Sequence, residues 1–314
     1  MDPMTRTLFM AAGKSKPPVV VAGGVDRYII RSEDGVNWTS PFNDSGGTSY
    51  FNQIIFANGL FVAVSSHGIY TSPNGSTWTL RLGGAGEFSC VAFGGGLFVA
   101  MGAAFYTSPD GITWTSRSMS TYLGPTITYV SAVAYGNSTW VCVGVAGTTS
   151  RPFTKTGTPA AVWTSQATLT GSDRYVGLRY TAGAFYMMRQ AAAGALYRSV
   201  NDGVSFSNAG IQAATNCGVD WAYNGSLWVA VGSNGTAPQL KTSTDISVGW
   251  STVNTSFFTS TTIAAVEYIP GLDLWVIGGT GGLMAYSPDV INWTLGTVTG
   301  LGTRAIQAIT YGYI

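Results

Sequence analysis

One short pattern returns along the whole chain and limits its fold more than any other feature: a serine opens a turn that ends six or seven residues later on an aromatic. The clear copies are SEDGVNW (residues 32–38), SPNGSTW (72–78), SPDGITW (108–114) and SPDVINW (287–293), with two longer forms, SVNDGVSF (199–206) and STDISVGW (243–250). An eroded seventh, TGTPAAVW, ends at Trp163. The aromatics at 38, 78, 114, 163, 206, 250 and 293 stand 40, 36, 49, 43, 44 and 43 residues apart, so seven units of one kind fill the 314 residues. A period near 40 residues marks a repeat architecture, in which each unit buries its apolar face against its neighbours.

Roughly 20 residues before each turn lies a second landmark, an apolar strand, a Gly or Asn turn, an aromatic and another apolar strand, as in IIFANGLFVAV, VAFGGGLFVAM, VAYGNSTWVCV, RYTAGAFYMM, WAYNGSLWVAV and VEYIPGLDLWVIG. Asn-Gly and Gly-Gly supply positive φ at low cost and favour tight hairpins. Each unit therefore reads as four antiparallel strands, and the chain as an all-β, seven-bladed β-propeller forming a single domain over residues 1–314. The C-terminal AIQAITYGYI looks like one more first strand, expected to pair with N-terminal strands and close the ring. Within the N-terminal region RTLFMAAG competes for that pairing.

The turns are expected to act as structural clasps. In SPDG, Ser108 suits the first turn position, Pro109 presets φ at the second, Asp110 accepts hydrogen bonds from turn amides, and Gly111 stands fourth. Trp114 then brings a large apolar surface to the blade edge. By the same reading Ser32, Asp34, Gly35 and Trp38, Ser72 and Trp78, Ser199, Gly203 and Phe206, Ser243, Asp245 and Trp250, and Ser287, Asp289 and Trp293 are clasp residues.

On these residues the chain resembles the Asp-box, or bacterial neuraminidase repeat, whose usual form is Ser-x-Asp-x-Gly-x-x-Trp. Ser199, Asn201, Gly203 and Phe206 match its spacing, as do Ser243, Asp245 and Trp250 with Ser247 at the glycine position. The other four clear copies are one residue shorter and are similar to the variant of bacteriophage and bacterial propeller proteins. The resemblance implies a propeller in which the boxes are structural and lie away from any active site; it spans sialidases, other glycosidases, assembly factors and virion proteins.

Composition narrows the functional classes. Only 9% of residues are charged and the net charge is +1, so no basic footprint for nucleic acid exists. No apolar run is long enough for a membrane-spanning helix, and no secretion signal is recognised, so folding in a host cytoplasm is expected. One histidine, His67, and three scattered cysteines offer no metal site, and no cofactor motif occurs. GGTGGL (278–283) reads as a strand-to-strand turn, and Cys90 and Cys142, in apolar runs, read as buried thiols.

A sialidase-like enzyme would need an arginine triad, a tyrosine nucleophile and an acid, and the Arg-Ile-Pro signature of those enzymes is absent. Asp34, Asp110, Asp202, Asp245 and Asp289 belong to turns, and Asp44, Glu87 and Asp173 to inter-blade loops; Asp220 and Glu267 fall in predicted inner strands, where they would face the channel. Longer loops at 41–51, 116–129, 144–157 and 189–196 carry Tyr50, Phe51, Tyr122, Arg151 and Arg189 as candidate binding residues. The expectation is a non-enzymatic virion component, a phage tail or tail-fibre part within a homo-oligomeric or larger assembly, that docks on virion proteins or recognises a host-surface glycan. A sialidase-like glycoside hydrolase and a bacterial assembly scaffold are the alternatives.

Overall fold

The computed structural model describes residues 16–44, 47, 49–84, 86–169, 174–190, 194–209 and 219–314. In these the repeat becomes seven sheets of four antiparallel strands each, one of them extended by a fifth strand. Blade 2 shows the build: an inner strand Phe51–Ala57, then Leu60–Ser65, Gly68–Ser72 and the outer Thr79–Gly83. Blades 3 to 7 occupy residues 88–117, 129–165, 174–208, 220–252 and 263–295 in the same order. Inner strands of successive blades lie side by side, and the series returns to its start.

Blade 1 uses both ends of the chain. Its inner strand is Ile306–Gly312, paired antiparallel with Val19–Gly24 from Val19↔Gly312 to Gly24↔Ile306, and Tyr28–Ser32 and Asn37–Asn43 complete it. Val19–Gly24 is thus the closing partner; RTLFMAAG lies outside the described residues. A two-residue strand, Thr297–Val298, adds in parallel outside Asn37 and Trp38.

The apolar faces meet between blades. Val62, Val64 and Ile69 of blade 2 share one buried cluster with Phe88, Val91, Phe98 and Ala100 of blade 3, and Val20 and Ile30 of blade 1 share another with Leu274 and Val276 of blade 7. Each Ser turn joins the third strand to the outermost one. Ser108 Oγ is buried, accepts from Gly111 N at 2.8 Å and donates to Asp110 Oδ1 at 2.9 Å; that oxygen accepts from Ile112 N and Thr113 N at 2.8 Å each. The turns at Ser32, Ser72 and Ser287 repeat this network, Asn74 serving in place of Asp in the second. The longer turn at Ser199 accepts from Gly203 N at 2.9 Å.

The fourth position needs the left-handed region, with φ +74° at Gly111. The same residue presses on the preceding blade, where a Cβ would stand 2.9 Å from a Leu60 methyl. Val290 holds the equivalent position at φ +62° and buries its side chain between blades 6 and 7. Blade 6 departs from the expected match: Ser247 does not take the glycine role, and Ser243 Oγ instead donates to Gly249 O at 2.6 Å.

Clasp aromatics divide by depth. Trp38, Trp78 and Trp163 are buried, whereas Trp114, Phe206, Trp250 and Trp293 are half-buried. Trp78, Trp114, Trp163 and Trp293 donate their indole N–H to a carbonyl of their own turn. Trp38→Ala should therefore cost about 3–5 kcal/mol in urea unfolding and Trp114→Ala about half of that. Equal losses would contradict this division. Gly111→Ala should cost more than about 1 kcal/mol, from φ and from the Leu60 contact.

Turn carboxylates accept backbone N–H groups, which favours their charged form. The Asn292 N–H, with further donors, holds Asp289 down at about 2 against burial, and Asp34 and Asp110 are also lowered. A depressed folded-state pKa means stability present above the unfolded value near 3.8 and lost as pH falls toward 2. Unfolding midpoints measured down this window should fall, and Asp289→Asn should flatten the fall.

Candidate functional site

The inner strands of all seven blades enclose an axial cavity of about 580 Å³. Most inner strands carry a β-bulge near their start, where the register skips Asn52, Ser89, Ser131, Ala264 and Gln307 in their respective blades. A bulge re-aims a side chain, and these residues line the cavity. Adjacent inner strands are not hydrogen-bonded partners in one sheet, so polar side chains bridge them. Asn52 Nδ2 donates to Phe88 O at 2.7 Å, Val91 N donates to Gln53 Oε1 at 2.9 Å, and Ser89 Oγ donates to Val130 O at 2.5 Å.

Across blades 5, 6 and 7 the bridge is ionic. Arg179 Nη2 lies 3.0 Å from Asp220 Oδ1 and its Nη1 lies 3.7 Å from Glu267 Oε2. Arg179 Nη1 also donates to Trp221 O at 2.6 Å, and Asp220 Oδ2 accepts from Val266 N at 3.0 Å. Asp220 and Glu267 thus face the channel as the sequence reading expects, but an arginine that reading passed over joins them. The three side chains keep 31, 15 and 22% of their surface open, so channel water reaches the cluster. Burial pushes Glu267 up to about 7, with Asp220 adding to the rise and Arg179 opposing it. Burial likewise raises Asp220 against the pull of Arg179.

Arg174, further along the same inner strand, donates to Tyr129 OH at 3.0 Å and lies 5.5 Å from that ring's centroid. Tyr129 OH stands 3.4 Å from Glu87 Oε1.

An aromatic collar surrounds one end of the channel. Phe56, Phe93, Tyr135, Tyr180, Tyr223, Tyr268 and Tyr311 hold one equivalent position in the seven inner strands, and all are half-buried. In blades 2 to 7 each packs on the aromatic opposite it in the second strand, at centroid distances from 4.2 Å for Tyr223 and Trp228 to 5.0 Å for Tyr268 and Trp275. Collar rings also lie over the glycine that follows the collar aromatic of the preceding blade. Tyr135 lies on Gly94 and Tyr180 on Gly136 so closely that a Cβ on either glycine would stand 2.0 Å from the ring. Phe56, Phe93 and Tyr135 also line the cavity.

The candidate loop residues do not converge. Phe51 is a correction: it starts the blade 2 inner strand and is fully buried, 5.3 Å from Tyr70, because the strand begins one residue earlier than the loop pattern suggests. Tyr122 sits in a short helix, Met119–Leu123, and packs edge-on against Phe105 at 5.8 Å. Arg151, on the third strand of blade 4, donates to Ser165 and Thr168 at 3.1 and 2.9 Å. Arg189 lies on the second strand of blade 5 and Tyr50 is exposed. Asp44 is 3.1 Å from Arg27, and His67 occupies a turn closed by Ser65. Cys90 and Cys142 are buried free thiols, pushed up by burial, Cys90 to about 12; Cys217 and Asp173 lie outside the described residues. Among the described residues no cluster of His, Cys, Asp or Glu could hold a metal, and no helix of the described residues is long and apolar enough to cross a membrane.

Aligning the units on the collar aromatic puts Arg179 and Glu267 at one equivalent position, immediately before it. That alignment is the sequence signal for the cluster. Arg179→Met should cost roughly 2–3 kcal/mol at pH 7, below the range for fully buried pairs because water reaches the site. Glu267 has a raised folded-state pKa, so it binds its proton more readily when folded and stability falls as pH rises from about 4.5 through 7. Glu267→Gln should remove that fall in a series of unfolding curves; an unchanged series would contradict the burial of this carboxyl.

No family model matches the chain, and no curated protein matches it in sequence. Solved structures share the fold. A xyloglucanase of glycoside hydrolase family 74 from Xanthomonas campestris aligns over 95% of this chain with TM-score 0.65 and 14% identity, and this chain spans about half (52%) of its length. YCF48, solved bound to a D1 peptide, aligns over 84% of this chain and 89% of its own at TM-score 0.58 and 15% identity. A chain of the nidogen/laminin complex aligns over 94% and 98% at TM-score 0.55 and 8% identity.

Proposed function

We propose that this seven-bladed propeller is a non-enzymatic docking and recognition module of the Asp-box type, serving as a tail or tail-fibre component of a bacteriophage virion. The docking half rests on one observation. The Ser turns present aliphatic side chains to solvent at nearly the same place in blade after blade: Ile112, Val162, Val204, Val248 and Ile291 are 46 to 84% exposed. Isolated exposed aliphatics are ordinary, but a rim that repeats them at blade spacing on a chain with 9% charge suits contact with a neighbouring protein. The virion assignment draws on the short form of the turn and on the low-charge, Thr-, Gly- and Tyr-rich composition. YCF48 with its peptide and the nidogen/laminin complex are propellers of similar fold solved with protein partners, which is in keeping with this reading.

Support for a non-enzymatic role comes from the acids. The carboxylates of Asp34, Asp110 and Asp289 accept their own turns' amides, and both oxygens of Asp220 are engaged, one by Arg179 and one by Val266 N. Glycoside hydrolysis is the second reading, favoured by Glu267, which is held near neutrality beside Asp220 as a general acid requires.

Co-expression with the products of adjacent genes tests docking. The wild-type chain should co-purify with a structural neighbour, and Val248→Lys with Ile291→Lys should abolish the complex while leaving the melting temperature within about 2 °C, as surface changes do. A complex unaffected by both substitutions would remove the rim from the reading. Turnover in a fluorogenic glycosidase panel that disappears in Glu267→Gln would establish the enzyme instead.

A further inference from the structure

We propose that the axial channel is a binding site for a neutral saccharide, held by unpaired amides in its wall and by the aromatic collar at its end. The inference rests on the recognition reading above and moves recognition from the outer loops to the axis.

Size comes first. A cavity of about 580 Å³ lies within the range of small-ligand sites and fits a mono- or disaccharide. Small side chains such as Ala132, Ala264 and Ala308 in its wall keep the space open.

The chemistry of the wall then selects the ligand. Its inner charges are paired, Arg179 with Asp220 and Glu267, while Arg174 stands exposed at the start of its strand and donates to the neutral Tyr129 hydroxyl. Beyond the exposed Arg174, an anion on the axis would have to displace a carboxylate from Arg179, and a cation would meet that guanidinium. The groups left without a protein partner among the described residues are neutral. Gln307 and Gln190 have both amide atoms free, while the bridging bond of Gln53 uses only its Oε1 and leaves its Nε2 free. A carboxamide offers a donor and an acceptor side by side, matching vicinal hydroxyls, each of which is both at once. These amides come from blades 1, 2 and 5, so they address a ligand from different sides.

Phe56, Phe93 and Tyr135 supply what the amides lack. Half-buried and fixed by their cross-strand partners, they offer rigid apolar surface to the C–H face of a pyranose at little cost in side-chain ordering. Free amides and pre-positioned rings in one cavity define a polyhydroxylated, uncharged ligand more closely than either does alone.

Saturation-transfer NMR on the intact protein tests this with glucose, galactose, N-acetylglucosamine and cellobiose as neutral probes, and N-acetylneuraminic acid and glucosamine as charged ones. At least one neutral probe should bind saturably, with its ring C–H protons receiving the strongest transfer, and the charged probes should bind at least tenfold more weakly. Gln307→Ala should weaken the neutral probe at least tenfold without moving the melting temperature. Phe93→Ala should do the same, but Phe93 also packs on Phe98, so Gln307→Ala is the deciding variant. Failure of every neutral probe, preference for a charged one, or indifference to both Gln307→Ala and Gln53→Ala would overturn the site. Cleavage of bound cellobiose would keep the site and refute the non-enzymatic reading. Partner capture through the turn rim with no sugar bound would keep docking and refute the site.

Discussion

Seven wedges make a ring only if the last is held to the first, and here the joint is a strand pair from opposite ends of the chain. Ile306–Gly312 lies between Val19–Gly24 and the axis, so blade 1 has no inner strand until the C-terminus arrives. This pairing is the most non-local among the described strands, and its closure entropy must be met before the contacts it makes can stabilise anything. What it completes is also the channel: Gln307 and Thr310 stand on the closing strand and line the cavity. Closure and the candidate site are therefore one event.

A second constraint follows from wedge geometry. Inner strands of adjacent blades sit side by side without forming a ladder, so their edges need another source of hydrogen bonds. Asn52, Gln53 and Ser89 provide it in blades 2 and 3 with neutral groups, and Arg179 and Asp220 provide it in blades 5 and 6 with charged ones. Outside the ring, buried serines and their Asp or Asn partners tie down the turn amides. Side-chain to backbone bonds thus do much of what ion pairs do in more charged proteins, and a chain with 9% charge can be held together with few of them.

The parts legible in the sequence are those that one unit specifies by itself. Ser108, Asp110 and Gly111 make their turn from contacts two or three residues apart, and the hairpins announce themselves through Asn-Gly and Gly-Gly, so blade count and strand order could be read directly. Depth was not legible. Phe51 follows a polar loop and looks like its tip, yet it is buried on Tyr70, because the inner strand starts there. Trp38 and Trp114 occupy one motif position but differ in burial: Thr297–Val298 runs alongside Trp38 from about 260 residues away, and no such strand lies along Trp114. Arg179 carries no local signal for a related reason. Its partners Asp220 and Glu267 lie one and two units on, and such a contact leaves no local spacing to find.

Hairpins from inner to second strand and Ser turns from third to outer strand open on the same face, because strands alternate in direction across a blade. The aliphatic rim and the aromatic collar are therefore on one side of the molecule, separated radially by three strand spacings, about 14 Å. A partner seated on one arc of the rim, such as Val204, Val248 and Ile291, leaves the axis open. One that caps the whole rim covers the collar. In the first arrangement docking and saccharide binding proceed independently; in the second each must weaken the other by the same factor, since coupling between two binding equilibria is reciprocal. The exposed aliphatics cluster in blades 3 to 7, while blade 2 carries Ser76 and blade 1 the half-buried Val36 at that position. That asymmetry favours contact along an arc, with the channel left free.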